Sequence, residues 1–202
     1  MRYCSNCGEI VSNPQINLSC AKWCKMAKEC LGDLPEEAIA ASPVIERLKA
    51  LLHKRLAAAP DRMQNALDTL LKAETMMMKE EGDPSLVKPS SLFAGALLTP
   101  AGDVDDGADT TMGDATAWDA MLEQSGMETP GSRHAIVALA QAAVAGNWQE
   151  NGDFAIVWDA TQLQKLKIMA RQFPNVTETK AVMDSIRTDS GRRMAEQFQT
   201  ER

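Results

Sequence analysis

DPSLVKPSSLFAGALL, Asp83 to Leu98, is the stretch on which the reading of this chain turns. Asp83-Pro84, following Gly82, predicts a helix start. Pro89 predicts either a kink in that helix or its true first turn. The stretch carries one lysine and is otherwise small or apolar from Leu92 to Leu98. Ser90-Ser91 would act as nucleophiles only with a base beside them, and no histidine is near in sequence.

Helical patterns flank it on both sides. Ser42-Pro43 predicts a capped helix start running through VIERLKALLHKRLA, with Val44, Leu48, Leu51, Leu52 and Leu56 as the apolar stripe. Pro60-Asp61 breaks that helix. The next, RMQNALDTLLKAETMMMKEEG, turns Met63, Leu67, Leu70, Leu71 and Met77 inward, and Met76–Met78 reads as flexible core. Downstream, Thr99 to Thr116 reads as a solvated acidic loop. Asp103, Asp105 and Gly107 are not followed by the liganding glutamate of a calcium loop. Helices are predicted over Trp118–Ser125, over Ser132–Ala145 closing on Gly146, and over Phe154–Met169. The tail from Thr177 reads as one or two amphipathic helices. There is no internal repeat, Gly-rich phosphate loop or GxSxG elbow. The fold class is all-α.

Composition agrees. Hydrophobic residues make up 45% of 202, aromatics only 4%, and twelve methionines fill the gap, which suits helix packing. The formal net charge of −7 argues against nucleic acid and against anionic membrane surfaces as partners. No apolar run approaches the ~18–20 residues of a spanning helix. The start, MRYCSNCG, lacks the apolar core of a signal peptide, which leads us to expect a cytoplasmic protein.

All five cysteines, Cys4, Cys7, Cys20, Cys24 and Cys30, fall in the first 30 residues. Stable disulfides are not expected in the cytoplasm, so the clustering points to metal ligation. Cys4 and Cys7 form a CxxC turn followed by Gly8, a knuckle that directs two thiolates to one point. LSCAKWCKMAKEC reads as a short helix with Cys20 and Cys24 on one face and Cys30 near its end. Four thiolates suffice for one centre and one is spare. The second half is not a second CxxC knuckle. Iron–sulfur ligation tolerates such spacing, and Lys22, Lys25 and Lys28 would offset a cluster's negative charge. The expected cofactor is an iron–sulfur cluster of 4Fe–4S type, with zinc as the alternative. Residues 1–33 form this module, Pro35 to Ala41 a linker, and 42–202 the helical body.

Within the body, DPSLVKPSSLFAGAL, then VWDATQL, then TDSGRRMAEQF occur in an order that resembles the HD-domain superfamily of metal-dependent phosphohydrolases. The resemblance implies an HD-like helical bundle. It also implies one or two divalent metals held by a first-helix His, an adjacent His-Asp pair and a late Asp, which together activate a water. Here the first His falls at Asn65, the pair at Ala94 and Gly95, and the last Asp at Thr161, with Asp159 kept just before it. All four ligand positions are changed. No histidine lies between His53 and His134, so no His-Asp pair exists there. His53 reads as a polar-face residue and His134 as structural, although the family often places a second-metal histidine on that later helix.

These readings predict a catalytically silent HD-like accessory protein, a pseudo-phosphohydrolase whose working chemistry is in the cysteine module. It would serve in electron transfer or dock to a larger redox enzyme. One alternative is a divergent phosphohydrolase with a relocated metal site drawn from Asp159, His134 and Asp103–Asp106. The other is a structural zinc module on an interaction domain.

Overall fold

The computed structural model describes residues 42–99, 114–172 and 176–200. The chain divides into two compact units, Met1–Pro43 and Val44–Arg202, and all but the first two described residues belong to the second. The cysteine module, the linker and Asp103–Asp106 lie outside the described residues.

The described residues form eight helices and no strand, which makes this body all-α: α1 Pro43–Arg55, α2 Pro60–Met76, α3 Pro84–Leu97, α4 Ala115–Gln124, α5 Pro130–Ala145, α6 Gly152–Gln172, α7 Val176–Asp184 and α8 Asp189–Thr200. α3 is the central rod, packed against α2, α5 and α6. Its last nine residues, Pro89 to Leu97, are all buried, and surrounding helices are what so apolar a segment requires. α6 packs in turn against α2, α5, α7 and α8, and α4 against α5. The core contains the ring stack of Phe93 on Trp118, centroids 4.6 Å apart and 6° from parallel.

Several boundaries differ from the sequence pattern, each for a local reason. α3 starts at Pro84 and runs through Pro89. Asp83 caps it by accepting from the Ser85 N–H at 2.8 Å, so the cap and not the internal proline sets the start. α4 starts at Ala115, ahead of Trp118, because Asp114 accepts from the Thr116 N–H at 2.9 Å. α5 starts at Pro130, two residues before Ser132, with proline at the first position. It closes on Gly146 in the left-handed conformation, φ 80°, as the sequence predicts. α6 extends beyond Phe154–Met169 at both ends, and the tail is two helices. Leu67 and Met77 are half-buried against the core, Leu71 is half-buried, and Met76 is fully buried.

Candidate functional site

The positions Asn65, Ala94, Gly95 and Thr161 are all buried, and two of them meet where α2 crosses α3. A Cβ placed on Gly95 would lie 2.6 Å from the Asn65 carbonyl oxygen, 2.6 Å from Thr69 Oγ1 and 2.7 Å from the Ala66 Cα. Two of the three, the Asn65 oxygen and the Ala66 Cα, are backbone atoms that no side-chain rotation moves, so the crossing admits glycine alone. An aspartate has no room there for its first carbon. Ala94 is fully buried, and the Thr161 hydroxyl donates to the Val157 carbonyl on its own helix at 2.7 Å.

Several polar groups around this crossing bond to one another or to backbone carbonyls. Asn65 Nδ2 donates to the Leu98 carbonyl at 3.2 Å, and its Oδ1 accepts from Gln164 Nε2 at 2.8 Å. Gln164 Oε1 accepts from the Lys72 ammonium at 2.7 Å. Arg62 Nε donates to the Ala96 carbonyl at 3.0 Å, joining α2 to the end of α3. At the rim, Lys167 Nζ lies 2.6 Å from Asp68 Oδ2. Burial raises the Asp68 carboxyl, but hydrogen bonds from Lys167 and Gln64 and the charges of Lys167 and Lys72 outweigh it, and the net shift is downward. The donors facing this interior are amides, an ammonium and a guanidinium. Cations there repel a divalent ion, where a metal site needs neutral imidazoles and carboxylates. Among the described residues no group of three or more His, Cys, Asp or Glu is placed to hold a metal.

Asp159 is also buried, and its carboxylate is committed to the backbone. It accepts from the N–H of Arg187 at 2.9 Å and from that of Thr188 at 2.7 Å, just ahead of α8. Burial pushes this carboxyl above its ordinary value, against the pull of those hydrogen bonds and of Arg192. Glu80 accepts from the Ser190 N–H at 3.0 Å, and Asp153 from the Asp83 N–H at 2.7 Å. These carboxylates thus tie down the starts of α8 and α3. His53 and His134 are exposed. Ser90 Oγ lies 2.7 Å from the Leu86 carbonyl and 3.2 Å from the Ile136 carbonyl, and Ser91 is buried, so neither serine faces a base.

Sequence reasoning missed Gln164 and Lys72, which complete the α2–α6 link. A signal existed. Asn65, Thr69 and Lys72 fall at i, i+4 and i+7 on the face of α2 that also carries Ala66, Ala73 and Met76, and Thr161 and Gln164 are spaced i, i+3 on α6. Polar residues on the apolar face of each of two helices foretell a partnered network. No family model, curated protein or solved structure matches the chain.

Proposed function

We propose that this chain is a non-catalytic accessory protein, an HD-like helical body carrying an iron–sulfur cluster at its N-terminus for electron transfer or docking to a redox enzyme. The observation that carries the reading is the cysteine distribution: Cys4, Cys7, Cys20, Cys24 and Cys30, and none thereafter. The CxxC knuckle and the three later cysteines supply the four thiolates of one centre with one to spare, and Lys22, Lys25 and Lys28 among them would offset a cluster's negative charge.

The interior of the body supports the non-catalytic half of the proposal. Where the family resemblance implies ligands, Gly95 meets backbone and Asn65 is bound to Gln164. Asp159, which a relocated metal site would need, holds two backbone N–H groups instead. A fold relieved of its site serves as a scaffold, since activity belongs to the site and not to the fold.

Metal and acid-labile sulfide analysis of protein purified without oxygen tests the reading. The expected result is about four iron and four sulfide per chain, with a broad visible band that bleaches on reduction. One zinc per chain without sulfide would replace the cluster with a structural clip.

A further inference from the structure

Trp148 is the one large apolar side chain exposed among the described residues, at 42%. It is also held in place. Gly146 turns the chain out of α5 with φ 80°, and the Asn147 N–H donates back to the Ala142 carbonyl at 3.1 Å. The indole then falls edge-on against Phe154, 5.4 Å between centroids, and against Trp158, 5.8 Å. Phe154 is fully buried and Trp158 nearly so, so the inner side of Trp148 rests on core.

Arg187 lies over the indole, its Cζ 5.3 Å from the ring centroid. Its backbone N–H and the nearby Ser185 carbonyl are both tied to α6. Asp159 accepts its N–H at 2.9 Å, and the Trp158 indole N–H donates to the carbonyl of Ser185 at 2.9 Å, two residues upstream. The Arg187 side chain is exposed and, among the described residues, makes no ion pair; its contact is the ring. An exposed indole, held from within by Phe154 and Trp158, and a guanidinium that no described carboxylate pairs with therefore stand side by side.

We propose that Trp148 and Arg187 are the anchor of a protein-docking surface whose partner presents a carboxylate beside an apolar side chain. The inference rests on the docking role above and names its contact. Trp and Arg dominate binding hot spots, and the Trp148 ring is already held against Phe154 and Trp158. The guanidinium takes a carboxylate through two parallel N–H bonds, and the adjoining indole covers the neighbouring apolar group. With a net charge of −7 the chain does not steer an acidic segment from afar. Recognition is by contact, inside a Debye length of about 8 Å.

The test uses the full chain labelled with ¹⁵N on tryptophan and arginine, whose four indoles give four N–H signals. The probe is a capped Leu-Glu-Leu peptide, with Leu-Gln-Leu as its neutral counterpart. The glutamate peptide is expected to move the Trp148 indole and Arg187 Nε–H signals and to bind about tenfold more tightly than the glutamine peptide. Trp148→Ala should abolish the response, and Arg187→Glu should reverse the preference, with helical circular dichroism intact in both. No shift at Trp148 up to millimolar peptide, or equal binding of the two peptides, would overturn the proposal. Iron and sulfide assays on the same samples separate the two readings: a chain that holds its cluster and ignores the peptide loses the docking site alone.

Discussion

Asp159 on α6 and Thr188 ahead of α8 are joined through a buried carboxylate, Oδ2 accepting the Thr188 N–H at 2.7 Å. Gly191 is drawn in so closely that a Cβ on it would lie 2.6 Å from the same oxygen. One side chain thus sets where the C-terminal helix begins and how near it approaches. Asp159→Ala leaves the Arg187 and Thr188 N–H groups without their acceptor and is expected to cost about 2–4 kcal/mol. Urea unfolding measures that cost. Unchanged amide exchange at Thr188 in the variant would show that the carboxylate does not hold α8.

The same carboxyl carries a pH signature. Burial raises it above the ordinary 3.8, so the folded chain binds its proton more readily than the unfolded chain. Its contribution to stability is full at low pH and is lost as pH rises through the elevated value. Asp159→Asn should flatten that fall in the urea midpoint. A slope identical in the wild-type chain and the variant would place the titration elsewhere.

Asp68 gives the opposite slope. Its carboxyl is held below 3.8 despite partial burial, through Lys167, Gln64 and the charge of Lys72. Its stabilisation is present above the ordinary carboxylate range and disappears as pH falls through the lowered value. The pair is partly open to water, the two side chains being 14% and 30% exposed. Asp68→Asn should therefore cost about 1 kcal/mol or less at neutral pH, and nothing in strong acid.

Gly95 is the sharpest steric test. With backbone atoms 2.6–2.7 Å from the new carbon, Gly95→Ala should destabilise by about 3 kcal/mol, because α2 and α3 must separate. Installing the full ligand set, Asn65→His, Ala94→His, Gly95→Asp and Thr161→Asp together, should yield an unfolded chain and not a metal site. A folded product that binds manganese would mean that the crossing can open.

Cys24→Ser should lower iron and sulfide per chain while the helical spectrum of the body persists, and a chain beginning at Ser42 should keep that spectrum. Metal content unaffected by serine at each of the five cysteines would remove the basis of the cluster reading.

Much of this body was legible in the sequence. Local rules suffice where a helix is set by its own residues. Proline at the first position marks α1, Gly146 ends α5, and the Leu48–Leu52–Leu56 spacing predicts a buried face that the structure contains. Asp83 and Asp114 were equally readable as caps, and missing the second of them misplaced the start of α4.

Tertiary structure alone decided what the interior holds. A sequence shows that no histidine lies between His53 and His134, but not that α2 and α3 touch at Gly95, because that distance depends on how two helices cross. Nor does it pair Asn65 with Gln164, 99 residues apart. The charge of Asp159 was visible from the start. Its occupation by the Arg187 and Thr188 N–H groups required the chain to fold α8 back on α6, since a buried carboxylate takes whatever donors the packing brings to it.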